Sequence, residues 1–414
     1  MKMILKQLWN QRRANAWLFT ELMVVFVLLW FTLDVAWNYV RAGLYPKGYD
    51  TENVFDVRIE RNPTLEKDPS VRSHSKEYLL EIYRRMGEYP GVESVCYYAG
   101  SKPYTDNSMF QGYSVEEDTA KVYGAKIRYI SSSYLDVFRV KLLEGNRIGW
   151  DEQQHPCAAF VTASLADSLF HGKVPLGARF YDYYARKYGD TETTYRLNGI
   201  LPLTKLDDYA RYEDFIYVPL DGHILEYAVP YFAVRVRPDL AFGFPDRFMK
   251  EMKSRLNMGP FYLSEVHSYN EMKQVYDIEQ GTTVYIRLAF SVAVFFVFTV
   301  FLGVMGTFWF RTRQRRGEIG LRIAVGASRV DVMWLLLNEG FILLLVASIP
   351  GLLIAGNIAY ADLTINTLID FSVGRFLITI LATYLLMLLM VFAGCCYPAY
   401  QAMHLSPAEV LHEE

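Results

Sequence analysis

The segment Arg311 to Asp331 reads RTRQRRGEIGLRIAVGASRVD and lies directly between two long apolar runs. Arg311, Arg313, Arg315 and Arg316 follow the run that ends at Phe310. Short loops rich in Lys and Arg stay in the cytoplasm when membrane helices insert, so the segment is expected to be a cytoplasmic link between two spans. Within it, Ile319, Ile323, Gly326 and Val330 recur at helical spacing, while Glu318, Arg322 and Arg329 fall off that stripe. The pattern predicts a short helix with one apolar face. Ser328 and Asp331, at the head of the next apolar run, give that run a capping-box-like start. On physical grounds two readings stay open: a topogenic loop whose apolar stripe lies on lipid headgroups, or a helix that docks on a partner.

Outward from this link, apolar runs occupy residues 17–40, 284–310, 335–359 and 376–397, each long enough to cross about 30 Å of hydrocarbon. Residues 43–283 have the composition of a soluble domain. The expected fold is therefore an α-helical membrane protein with four transmembrane helices and a large mixed α/β extracytoplasmic domain between the first and second. Residues 1–16 carry Lys2, Lys6, Arg12 and Arg13 without an acid and read as a cytoplasmic amphipathic helix. The first run is too long for a signal peptide and lacks a small-x-small cleavage site, so it reads as an uncleaved anchor. Glu21 reads as an interfacial carboxylate, and Arg287 as snorkelling near the outer end of the second span. In the third span Pro350 predicts a kink, and Ala347, Gly351 and Ala355 form a small-xxx-small stripe. The fourth span, 376–397, holds no ionisable side chain other than tyrosine and cysteine. An even number of spans returns the tail 398–414 to the cytoplasm, on the side of the N-terminus and the segment 311–334.

Several function classes are disfavoured. A net charge of -3 over 414 residues gives no nucleic-acid footprint. No GxxxxGK[ST] stretch is present to cradle ATP phosphates, and no strand-turn-helix nucleophile elbow appears. His74, His155, His171, His223 and His267 have no HxxxH or HExxH pairing, so no catalytic, cofactor or metal residues are assigned. Of the four cysteines, Cys96 and Cys157 lie in the soluble part, and a disulfide between them stays open. In that part, a strand over 53–60, a helix over 75–88 and a strand over 92–98 alternate. Tyr181 to Tyr188 reads either as a partner-binding patch or as an exposed hairpin tipped by Tyr188-Gly189-Asp190. Residues 268–283 carry Met272, Val275, Tyr276 and Ile278 and predict a helical stalk continuous with the second span. The core domain proper would then cover 43–267.

Arg316 to Ser328, RGEIGLRIAVGAS, is similar to the REIGIRxAxGAS signature of the MacB/FtsX-like ABC permease family. Tyr129 to Phe138 with Leu142 to Arg147, and Ala159 to Ala166 with Leu169-Phe170 and Pro175-Leu176-Gly177, resemble stretches of the MacB-type periplasmic core in order and spacing. Tyr397 to Leu411 resembles the family's closing signature, with Tyr400 and Gln401 where that signature is basic. The resemblance implies that Glu318, Ile319, Gly320, Arg322, Ile323 and Gly326 form a helix that couples to a cytoplasmic ABC ATPase on a separate polypeptide. It implies a non-catalytic permease subunit, working as a homodimer or with a sibling permease, in the bacterial inner membrane with residues 43–283 periplasmic. Motion relayed to that domain would serve export, efflux or release of lipoproteins or peptides, with a periplasmic adaptor and outer-membrane channel as further partners. The alternative is an FtsX-like regulator that switches an extracytoplasmic enzyme such as a cell-wall hydrolase.

Overall fold

The computed structural model describes residues 12–65, 73–115, 121–147, 157–172, 176–188, 194–220, 224–364 and 369–403. In chain order the elements are α1 (Arg12–Leu44), β1 (Val54–Arg61), α2 (Ser75–Gly87), β2 (Val92–Gly100), β3 (Met109–Ser114), β4 (Tyr123–Ile130), α3 (Tyr134–Val137) and β5 (Glu144–Gly145). There follow β6 (Ala158–Thr162), α4 (Ala163–Phe170), β7 (Arg179–Asp182), α5 (Tyr183–Lys187), β8 (Thr194–Leu201), β9 (Phe215–Pro219), α6 (Ile224–Tyr227) and β10 (Tyr231–Val236). The last are α7 (Pro238–Ala241), α8 (Phe244–Met252), β11 (Phe261–Ser268), α9 (Tyr269–Glu279), α10 (Thr282–Gln314), α11 (Arg316–Ala324), α12 (Arg329–Tyr360) and α13 (Val373–Met403). They fall into two units: Gly43–Gly281, and a membrane unit of the residues up to Ala42 with those from Thr282 onward.

In the membrane unit α1, α10, α12 and α13 are long and apolar enough to cross a membrane, which is the four-helix architecture with an α/β domain between the first and second helices. Van der Waals fit rather than water exclusion must hold such helices together, and small residues permit it. Ala347, Gly351 and Ala355 are all buried along α12. A Cβ on Gly351 would meet the ring of Phe26 on α1 at 2.8 Å, and one on Gly340 would meet Cys395 Sγ on α13 at 2.9 Å. Leu22, Phe26, Val300, Val304, Leu337, Leu344, Met387 and Val391 fill the space between these close approaches. Pro350 lies inside α12, whose helical assignment continues through it.

The α/β unit is built on an 11-stranded sheet. One half, β11-β1-β10-β2, is antiparallel throughout and covered by α2 and α8, whose Leu79, Ile82, Met86, Phe248 and Met252 pack on Val57, Phe232 and Val234. The other half closes on itself: β4 pairs β3, and the path β3-β7-β8-β6-β9 returns to β4 through a parallel pairing from Lys126↔Phe215 to Ile130↔Pro219. A six-stranded ring leaves no free edge. Strand β4 belongs to both halves, and Arg128 on it is fully buried. Its Nε donates to Ser101 O at 2.6 Å and its Nη1 to Tyr134 Oη at 2.8 Å, while the guanidinium lies 5.0 Å from the Phe215 ring centre.

One expectation differs from what forms. Residues 268–283 are not one uninterrupted helix. A capping box between Ser268 and Glu271 starts α9, Tyr276 and Met272 pack into the α/β core, and Gly281 at φ +73 separates α9 from α10. Tyr181 lies in β7, which pairs antiparallel with β8 from Arg179↔Arg196 to Tyr181↔Thr194, and at the end of β7 the Asp182 carboxylate accepts from the backbone of Tyr184 and Ala185 and starts the short helix α5; Gly189 and Asp190 of the expected tip lie outside the described residues. Cys96 is buried and Cys157 exposed, and both are free thiols.

On α9, Asp277 is buried near Asp207 and Asp208, and burial first, then those carboxylates, push its pKa up to about 6 against the pull of Lys273. A raised carboxylate pKa means that stability falls as pH rises from about 4, where the unfolded chain ionises, to about 6. Asp277→Asn is therefore expected to raise the thermal midpoint near neutral pH, with the gain vanishing on acidification to about pH 4. A midpoint unchanged at neutral pH would count against the buried acid.

Candidate functional site

The link between α10 and α12 folds as two devices in series. Helix α11 ends in a paired-bond cap: Gly326, at φ +107, donates to Ile323 O at 3.1 Å, and Ala327 donates to Arg322 O at 2.9 Å. Only glycine takes that conformation without strain. Two residues on, Ser328 Oγ accepts from Asp331 N at 3.2 Å while the Asp331 carboxylate accepts from Ser328 N at 3.1 Å, which starts α12. The chain thus turns sharply through Gly326-Ala327-Ser328.

Helix α11 presents a different face inward than a docking helix would need. Ile319 is 3 % exposed and packs on Val332, Leu336, Ala399 and Ala402, with Ile323 beside it, and Gly320 is also buried. These residues, expected to fill a groove on a partner, fill one within the chain. Facing outward instead are Leu321 and Val325, one turn apart and 58 % and 82 % exposed.

The charges of the segment form a ladder leading into the helix bundle. Arg322 Nη2 lies 2.7 Å from Glu318 Oε1, and Glu318 Oε2 lies 3.0 Å from Arg315 Nε. Arg315 Nη1 reaches Glu339 Oε2 at 3.0 Å, and Arg311 Nη1 lies 3.5 Å from the other Glu339 oxygen. The Arg315 hydrogen bond holds the Glu318 carboxyl below its ordinary pKa, keeping it ionised. Glu339 on α12 is buried, so the arginines at the end of α10 are its counter-ions as well as topogenic charges. Arg313 and Arg316 are exposed. Arg12 and Arg13 start α1, with side chains outside the described residues.

A second ion pair lies toward the opposite ends of the helices. Arg375 in the first turn of α13 grips Asp34 of α1 with two nitrogens, Nε to Oδ1 at 2.8 Å and Nη2 to Oδ2. Its Nη1 donates to Ile369 O at 3.1 Å. Both side chains are buried, and one turn away Trp30 Nε1 donates to Thr379 Oγ1 at 3.1 Å. The sequence reading missed this pair because the fourth span was started at Phe376, one residue too late. The available signal was an acid near the end of the first apolar run and an arginine beside the last. Glu21, expected as an interfacial carboxylate near the start of the first span, packs beside α10. It is half-buried with its carboxylate against α10, where a Cβ on Gly303 would meet Oε1 at 2.0 Å.

The chain is similar to several known proteins. Residues 290–407 match the family FtsX-like permease C-terminal. The chain is 28% identical over 181 residues to "Macrolide export ATP-binding/permease protein MacB" of Agrobacterium fabrum, a stretch covering 43% of this chain and 26% of that protein. It is 29% identical over 139 residues to the protein of the same name from Hahella chejuensis, covering 33% of this chain and 21% of that one. The matched stretches thus span about a quarter of those relatives' length. Among solved structures, the periplasmic region of MacB from Actinobacillus actinomycetemcomitans is similar over 56% of this chain and 94% of its own, at 16% identity and a TM-score of 0.35. The extracellular domain of the noncanonic ABC-type transporter YknZ from Gram-positive bacteria is similar over 51% of this chain and 100% of its own, at 14% identity and a TM-score of 0.34.

Breaking a buried ion pair strands a charge, whereas replacing both partners with apolar groups does not. Asp34→Ala is expected to cost about 3–5 kcal/mol in unfolding from detergent micelles. Asp34→Leu with Arg375→Met should recover most of that loss. Equal destabilisation by the single and double variants would show that the pair does not act as a unit.

Proposed function

From its relationship to the MacB/FtsX-like ABC transporter permeases, we propose that this chain is the permease subunit of a MacB-type ABC transporter. It passes ATP-driven movement of a cytoplasmic ABC ATPase to its α/β domain. In this reading the link 311–328 and both ends of the chain face the cytoplasm of a bacterial cell, as the positive-inside rule requires of Arg311, Arg313, Arg315 and Arg316. The domain Gly43–Gly281 lies in the periplasm and delivers the work there, in export, efflux or release of a lipoprotein or peptide. Two such permeases, identical or siblings, complete the transporter. A periplasmic adaptor and an outer-membrane channel are further partners in this scheme.

The observation that carries the proposal is the mechanical connection of α11. A force on its outer face reaches Ile319 in the cleft of α12 and α13, and reaches Glu339 through Glu318 and Arg315. Outward contact with the ATPase falls to Leu321 and Val325, flanked by Arg316 and Glu318. Gly326 shapes the turn, and Ile319, Gly320 and Ile323 seat the helix. An FtsX-like regulator that switches an extracytoplasmic enzyme would use the same coupling. The extent of the domain Gly43–Gly281 favours the MacB-type role.

Pull-down from native membranes tests this. An ABC ATPase is expected with the wild-type chain and should be lost from Leu321→Asp/Val325→Asp, whose unfolding midpoint should stay near wild type because surface changes cost within about 0.5 kcal/mol. Ile319→Asp should instead lower the midpoint, since it buries a carboxylate among Val332, Leu336 and Ala402. No ATPase with the wild-type chain, under conditions that preserve complexes, would remove the motor from this reading.

A further inference from the structure

At the end of α10 that carries the arginines, a groove of ≈ 590 Å³ opens between α10 and α13. Its walls are Trp309 and Arg313 on α10, Arg316 at the start of α11, and Tyr397 and Tyr400 on α13, with Gly306 toward its apolar end. Gly306, Trp309 and Arg313 recur every three to four positions and so share one face of α10. The Arg313 guanidinium lies 4.6 Å from the Trp309 ring centre. Among the described residues, no acidic side chain lines the groove and neither Arg313 nor Arg316 is in an ion pair. This sets them apart from Arg311 and Arg315, which Glu339 neutralises. A Cβ on Gly306 would meet nothing within 4 Å, so that wall is open space. Above it, Phe295, Phe298 and Leu302 continue along the same side of α10 and are 64 %, 59 % and 45 % exposed.

We propose that this groove binds the headgroup of an anionic phospholipid, with the acyl chains lying along Phe295, Phe298 and Leu302. Two guanidinium groups hold the phosphate, Trp309 and the tyrosines sit at headgroup depth as amphipathic rings do, and an apolar row follows for the chains. A soluble anion would use the first of these and leave the row uncovered. Basic pockets between membrane helices on the cytoplasmic side recognise anionic headgroups in this way. The assignment of the groove to the cytoplasmic leaflet rests on the topology proposed above. The chain's own segments fit less well: the N-terminal residues Lys2, Lys6, Arg12 and Arg13 repel the arginines, while the tail beyond Met403 offers Glu409, Glu413 and Glu414 but no acyl chain.

The full-length chain, reconstituted in nanodiscs of equimolar phosphatidylcholine and phosphatidylglycerol, is released and examined by native mass spectrometry for retained lipid. Wild type is expected to retain phosphatidylglycerol over phosphatidylcholine on the order of tenfold, as two arginines beside an anionic headgroup should give. Arg313→Gln/Arg316→Gln should abolish the preference. Gly306→Leu, which fills the groove and leaves every arginine in place, should lose the retained lipid. Equal retention of the two lipids by wild type, or a preference that survives either variant, overturns the proposal. So does a rise in phosphatidylglycerol retention on removal of residues 404–414, which would make the acidic tail the occupant. Trypsin access to the 311–328 link in sealed inside-out vesicles reads the topology separately, so a failure of lipid binding and a failure of orientation are distinguishable.

Discussion

Glu339 is buried between Arg311 and Arg315, and much of the membrane unit follows from keeping that carboxylate neutralised. A lone charge in hydrocarbon is costly, and pairing it restricts where its neighbours stand. Because Arg315 must face Glu339, it also fixes Glu318 and Arg322, and the short helix α11 has one rotation about its axis available. Ile319 then points inward and Leu321 and Val325 outward. The orientation of the candidate coupling surface is thus set from inside the bundle. At the opposite ends of the helices Asp34 and Arg375 impose the same kind of restriction on α1 and α13.

The α/β unit meets the same problem with different chemistry. Lys102 pairs with Asp56 at 2.8 Å. Arg235 donates to the backbone carbonyls of Glu52 and Asp50 at 2.8 and 2.9 Å besides lying 3.4 Å from the Asp50 carboxylate, and Arg128 is held by tyrosine hydroxyls, a carbonyl and ring faces. Such cations tie loops and strands distant in sequence to one point. Arg128 does so at the strand shared between the open half and the closed ring.

Much of this architecture was legible in the sequence, for identifiable reasons. Apolar runs are unambiguous when they exceed eighteen residues, and the Ser328-x-x-Asp331 cap announces its geometry locally, whereas Gly326 and Val330, read as members of one helical stripe, fall in the turn after α11 and the first turn of α12. Helical spacing also identified the stripe Ile319–Ile323. What spacing cannot give is the side on which the stripe finds its partner, since a groove made by α12 and α13 and a groove on another protein ask for the same residues. The Asp34–Arg375 pair joins positions 341 apart in the chain, a relation that no local pattern encodes. The break at Gly281 was hidden for a related reason: Tyr276 and Met272 have a helical period whether their helix runs on into the next or packs on its own domain, and they pack on their own domain.

The pairing of β1 with β11 has a further consequence. Phe55 stands opposite Ser268, so the first and last strands of a domain of more than two hundred residues are immediate neighbours. Chain enters and leaves through adjacent strands, the arrangement that lets a module be inserted into another polypeptide with little linker. The same arrangement delays completion. β1 emerges early in synthesis but must wait for the residues around 261–268 before its outer edge is covered, and through that interval it remains open to wrong partners. The burden of protecting an unfinished sheet therefore falls on the period between delivery of the first membrane helix and synthesis of the second.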